Sequence, residues 1–192
     1  MKIGLFFGSF NPIHIGHLII ANQMLALTEL EKVWMVISPQ SPFKKKASLA
    51  SNYDRYHLVD IATSDHPDIS PSNIEFNLPT PSYTIDTLTY LKEKHDDKSH
   101  EFALIMGGDN LKYLHKWKNY EQILKHHHIY VYKRDDLDEH GYEDHPMVHF
   151  VESPLMHISA TYIRKAIKEG RSVQYLVPDE VFDYLRTSSL YR

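Results

Sequence analysis

KIGLFFGSFNPIHIGHLIIANQMLAL, residues 2–27, opens as an apolar run, breaks at a glycine and resumes at helical spacing. Lys2 to Phe7 reads as a buried strand and His17 to Leu27 as a helix, with the turn Gly8 to His17 between them. A turn between strand and helix is where an α/β sheet gathers phosphates. Gly8 lets backbone amides approach an anion closely, and Pro12 stiffens the turn. The amides and dipole of the helix start favour negative charge. His14 and His17, three apart, project to one side of the first turn. From there they can stabilise charge on a phosphoryl group without covalent chemistry. A bare pair of histidines at this spacing reads as a surface feature, and without a third ligand it makes a poor zinc site. The strand, glycine and proline ahead of it turn the reading to phosphate.

The rest of the chain repeats this alternation. Strands are expected at 33–37, around Ile74–Phe76, at 101–106, 128–133 and 148–152. Helices are expected at Tyr53–Thr63, Ser82–Lys94, up to Leu124, and at Ser159–Lys168 and Pro178–Leu185. Strands separated by helices define an α/β, Rossmann-like doubly wound and mostly parallel sheet, with helices on both faces and a small C-terminal helical segment. With 192 residues and no internal repeat or clear linker, residues 1–192 are expected to form a single domain.

Composition narrows the partners. Acidic residues outnumber basic ones 25 to 21 and the net charge is −4, so phosphate binding should be local and small-molecule in scale. A protein that wraps nucleic acid needs a basic face, so no nucleic acid partner is expected. The absence of cysteine removes disulfides, thiolate catalysis and Cys-based zinc sites. No apolar stretch approaches the roughly 20 residues that span a bilayer, so no membrane partner is expected and the cytoplasm is the plain reading.

ISATYIRKAI, residues 158–167, supplies a second phosphate-binding pattern. Ser159 is placed as a helix cap, Thr161 and the first-turn amides can face an anion, and Arg164 lies one turn on. A guanidinium there can fork two phosphate oxygens. Alone, this is an ordinary capped amphipathic helix; paired with the first motif it becomes specific.

G-[ST]-F-x-P-x-H-x-G-H, spelled here from Gly8 to His17, resembles the signature of the nucleotidyltransferase superfamily. That superfamily holds adenylyltransferases, cytidylyltransferases and class I aminoacyl-tRNA synthetases. Its adenylyltransferases carry an I-S-x-T-x-[IL]-R element similar to 158–164, whereas the K-M-S-K-S element of synthetases is absent. The resemblance implies catalytic roles for His14, His17 and Arg164. It implies ATP binding by those three with Gly8, Ser9, Phe10, Lys44, Gly107, Asp109, Ser159 and Thr161.

Further segments are similar to one branch, the bacterial nicotinate-nucleotide adenylyltransferases. PSYTIDTL (81–88), GGDNLKYLHKW (107–117), VYKRDD (131–136) and LVPDEVFDYL (176–185) match its patterns. The likeness implies nicotinate-nucleotide contacts from Tyr83, Thr84, Asp109, Trp117 and Arg134, with Trp117 stacking on the ring. Read without it, 82–86 is a helix start with Ser82 as cap, and Trp117 is a candidate core residue. One departure stands out: SPFKKK (41–46) has Phe43 where that branch usually has histidine, and only Lys44 is carried over. The implied reaction transfers AMP from MgATP to nicotinate mononucleotide, with Mg2+ held mainly by ATP phosphates and no dedicated metal ligands. ATP and nicotinate mononucleotide are thus the expected partners. Oligomeric state is left open, and a homo-oligomer is compatible with the sequence.

Overall fold

The computed structural model describes residues 1–40, 49–95, 99–132, 141–154 and 157–192. Among these residues six strands form one sheet in the order β3-β2-β1-β4-β5-β6: β1 Lys2–Gly8, β2 Lys32–Ile37, β3 Ile69–Ser72, β4 Glu101–Gly107, β5 Ile129–Tyr132 and β6 Val148–Val151. Every pairing is parallel, so the expected mostly parallel sheet is parallel throughout.

Parallel strands covered on both faces read as continuous apolar runs, because successive side chains enter different cores. The sheet divides its side chains accordingly. Phe6, Met35 and Ile105 pack into one cluster, with Met24, Leu58, Ile163 and Val181. Leu5, Val36 and Leu104 pack into the other, with Leu88, Leu91 and Ile123. The first cluster takes α1 Ile15–Leu27, α2 Asn52–Thr63, α6 Ala160–Lys168 and α7 Asp179–Thr187. The second takes α3 Thr84–Lys94, α4 Gly108–Leu111 and α5 Tyr120–His126. No helix among the described residues is long and apolar enough to cross a membrane.

Three local expectations are corrected. The strand expected at Ile74–Phe76 is a 3-10 turn, Ile74–Asn77, and the edge strand lies earlier at Ile69–Ser72. Pro71 is tolerated there because an edge strand need not donate on both sides. Ile74 and Phe76 pack against different clusters, so their alternation mimics a strand. Ser82 does not cap α3; Tyr83 occupies that position and the Ser82 hydroxyl is buried. The helical region running to Leu124 is broken into α4, a 3-10 turn at Leu114–Lys116 and α5. The break leaves Trp117 extended and Asn119 left-handed, at φ 51°.

Candidate active site

Strands β1 and β4 lie side by side where the sheet order reverses, and they end at Gly8 and Gly107. Ligands of open α/β sheets collect at this carboxyl edge. The turn after β1 folds back on itself. Phe10 takes φ 42° and is buried, with its ring beneath Gly8. A Cβ on Gly8 would come within 2.7 Å of that ring, so the glycine makes room for an aromatic as well as for an anion. The peptide Asn11–Pro12 is cis.

His14 is the N-cap of α1 and His17 stands three positions on, where its Nδ1 accepts from the His14 backbone N–H at 3.3 Å. The two rings stack, with centroids 3.7 Å apart and planes 24° from parallel. The edge-on ring of Phe10 supports His17, centroid to centroid 5.0 Å. The rings therefore share one side of the turn, held by an aromatic floor.

Ser159 caps α6, its hydroxyl accepting from the Tyr162 N–H at 3.2 Å. One turn on, Arg164 donates from Nη1 to the Asn11 carbonyl at 2.8 Å and from Nη2 to the Thr161 hydroxyl at 3.3 Å. Two sequence motifs separated by 153 positions are thus in direct contact. This contact brings the guanidinium beside the turn that carries the paired imidazoles.

Next to this turn lies a cavity of about 170 Å³ whose lining includes Gly8, Ser9, Tyr83, Thr84, Trp117 and Lys118. Thr84 opens α3, and Lys118 Nζ sits 5.1 Å from the Tyr83 ring centroid. Trp117 is half-buried, packed on the second core cluster and facing the cavity with its remaining surface. The core and ring-stacking readings of this residue are both compatible with its place. Gly107 ends β4, where a Cβ would collide with the Asp109 carboxylate. Asp109 is exposed, and its neighbour Asn110 lines the cavity in its stead. Lys44 and Arg134 lie outside the described residues.

Several residues that knit the site together carry no motif. Arg55 is fully buried, and burial pulls its guanidinium below the usual arginine range. It donates to the Ser9 carbonyl at 2.5 Å, to Ser38 at 3.0 Å and to Ala50 at 3.2 Å. Asn11 Oδ1 accepts from the Tyr191 hydroxyl at 2.9 Å and from the Ala50 N–H at 3.1 Å. Glu75 is buried in the cavity wall. An arginine inside an amphipathic helix gives a sequence reader no reason to place it at 0% exposure.

A family model described as cytidylyltransferase-like matches residues 5–166, and the chain belongs to that family. Over its full length the chain is 50% identical to a Flavobacterium johnsoniae protein, also covered completely, with the name "Probable nicotinate-nucleotide adenylyltransferase". A Bacteroides thetaiotaomicron protein with the same name is 39% identical, over 97% of this chain and 91% of its own. Within the wider family, the chain belongs to the nicotinate-nucleotide adenylyltransferases. Its fold is that of the Plasmodium falciparum nicotinic acid mononucleotide adenylyltransferase solved with NaAD, with a TM-score of 0.82 at 20% identity, covering 99% of this chain and 97% of that one.

Proposed function

We propose that this chain transfers the adenylyl group of ATP to the 5′-phosphate of nicotinate mononucleotide, releasing pyrophosphate and nicotinate adenine dinucleotide. The observation that carries the reading is the Arg164 bond to the Asn11 carbonyl, which sets the guanidinium beside the turn of His14 and His17. An anion placed over that turn meets imidazoles, helix-start amides and a guanidinium from separate elements. The adjoining cavity, with Tyr83, Thr84 and Trp117 in its wall, is the acceptor side of the same reading.

A phosphate oxygen of the acceptor attacks the α-phosphorus of ATP, and the bond from that phosphorus to the β-phosphate bridging oxygen breaks. The acceptor phosphate is already an anion near neutral pH, so no strong base is required. Catalysis then rests on position and charge stabilisation. His14 and His17 act on the charge that builds at the α-phosphate. Ser159, Thr161 and Arg164 hold the leaving pyrophosphate, and Lys44 joins them. Gly8, Ser9 and Phe10 shape the ATP turn, Gly107 joins the ATP site, Asp109 hydrogen-bonds a ribose hydroxyl, and Arg134 contacts nucleotide phosphate or adenine.

No three carboxylate or imidazole groups converge as a metal cage among the described residues. The donors at the turn are imidazoles and amides, which suits a magnesium ion carried in by the triphosphate rather than one resident in the protein. When bound there, Mg2+ neutralises phosphate oxygens. The cytoplasm is the compartment that goes with this reading.

An acceptor panel tests it. Purified protein with ATP should release pyrophosphate with nicotinate mononucleotide and not with phosphopantetheine. Release with phosphopantetheine alone would transfer the chain to another adenylyltransferase class, and none with any acceptor would leave a nucleotide sensor.

A further inference from the structure

Tyr191 follows α7 and takes φ 67°, in the left-handed region that a bulky side chain rarely adopts. Phe10, the residue before Asn11, lies in the same region at φ 42°. Such conformations cost free energy and persist only where their surroundings over-determine them. At Asn11 they do. The residue is 1% exposed, and its Oδ1 accepts from the Tyr191 hydroxyl at 2.9 Å and from the Ala50 N–H at 3.1 Å. A backbone amide can only donate, so the atom that meets Ala50 is the oxygen, and the phenol must donate to it as well. Burial raises the Tyr191 phenol above its ordinary range, which keeps that proton in place near neutral pH. Ala50 is fixed in turn by Arg55, whose Nε donates to its carbonyl at 3.2 Å and whose Nη1 reaches the Ser9 carbonyl. The Asn11 side chain is thus held from two directions.

The backbone of the same residue aims Arg164. Its carbonyl accepts from Nη1 at 2.8 Å, while the Thr161 hydroxyl accepts from Nη2 at 3.3 Å. A carbonyl turns with its residue, so loosening the Asn11 side chain also loosens the direction in which Arg164 is drawn. The guanidinium is a rigid, planar fork, and tilting its anchored edge displaces the edge offered to phosphate. The Tyr191 hydroxyl lies close enough to Arg164 to feel its charge. Packing does not account for this hydroxyl. The ring rests against the first core cluster, a contact that phenylalanine would make equally, and it is the oxygen that reaches Asn11.

We propose that Tyr191 is a positioning residue for the ATP side of the reaction: through Asn11 it sets the Arg164 guanidinium against the phosphates that leave as pyrophosphate. The inference rests on the functional reading above and adds to it a residue 180 positions from Asn11, outside both phosphate motifs. Phenylalanine deletes the one oxygen and keeps the ring.

The experiment measures the Kd for MgATP by titration calorimetry without acceptor, and the KM for each substrate, in the parent, Tyr191→Phe, Arg164→Met and the double variant. A circular dichroism melt accompanies each. Tyr191→Phe should weaken ATP binding about fivefold, the scale of one lost hydrogen bond, with the KM for nicotinate mononucleotide within about twofold of the parent. In the Arg164→Met background no guanidinium is left to aim, so the same substitution should change the ATP Kd by less than about twofold. A hydroxyl that serves only the fold would lower Tm and shift ATP and acceptor alike, in both backgrounds. Equal shifts for the two substrates would therefore overturn the proposal. So would a loss of ATP affinity that persists in full without Arg164, parental ATP binding in Tyr191→Phe, or a Tyr191→Phe protein that does not fold. A parent that binds ATP but is inactive with nicotinate mononucleotide refutes the functional reading, and the ATP titrations then judge Tyr191 separately. An active parent with the wrong variant pattern refutes this inference alone, and a parent that binds no ATP refutes both.

Discussion

His17 illustrates how one side chain depends on its floor. Its ring stacks on His14 and rests against Phe10, so its direction is fixed before any substrate arrives. Replacing it with alanine should lower kcat by roughly 10²–10³, the scale of losing one preorganised transition-state donor. A steady-state assay that finds kcat within a factor of a few would remove His17 from the chemistry. Glu75 carries a pH signature of its own. Burial raises its carboxyl above the usual 4.5, so the folded chain keeps a proton that the unfolded chain has released. Stability from this group is complete below about pH 4.5 and falls as pH rises toward the raised value. Thermal melts of Glu75→Gln against the parent should therefore show a difference in Tm that grows with pH across that window in favour of glutamine. A constant difference would mean the carboxyl is not shifted. The histidines and Arg164 were legible in the sequence because they belong to compact motifs. Glu75, Arg55 and Tyr191 were not, since their importance arises from contacts made only after distant segments meet.

At the scale of the element, the turn after β1 is where local sequence and distant packing agree. Gly8 was expected to give an anion access to backbone amides, and the structure adds a steric demand, the Phe10 ring at 2.7 Å from a would-be Cβ. Gly8→Ala must push that ring, and with it the support beneath His17. A cost of about 1–3 kcal/mol in stability is expected, with a fall in kcat beyond any change in KM. Chemical denaturation and steady-state kinetics check the two parts, and an alanine variant with parental values would discount the contact. The long strands were readable because a two-sided core makes each a continuous apolar run. Ile74–Asn77 misled because Ile74 and Phe76 reach different clusters from a 3-10 turn, giving a strand-like alternation without a ladder. The breaks around Trp117 were equally hidden, as nothing in the sequence announces a left-handed Asn119.

Across the whole molecule, the sheet order sets the site and buried polar hubs lock it. The two central strands end together at the reversal of strand order, and α6 returns from the far end of the chain to bond the first turn. Arg55 bridges the Ser9 and Ser38 carbonyls, at the ends of β1 and β2, from inside α2. Arg55→Met leaves those carbonyls unpaired and should cost about 3 kcal/mol, or roughly 6–12 °C in Tm for a chain of this size. A loss below about 1 kcal/mol by denaturant titration would mean that the hub is dispensable. The fold class was legible from alternating strands and helices, and the meeting of His14, His17 and Arg164 was expected from the two motifs; the Arg164–Asn11 and Tyr191–Asn11 bonds that make it required the three-dimensional arrangement.

That convergence is the central claim: the paired imidazoles and Arg164 act on the same triphosphate. A double-mutant cycle with His17→Ala, Arg164→Met and the combined variant, read as kcat/KM for ATP, tests it most directly. Coupling of about 0.5–3 kcal/mol between the two sites is expected, the range for residues that share a partner. Losses that add to within about 0.3 kcal/mol would show two groups working independently and would contradict the account.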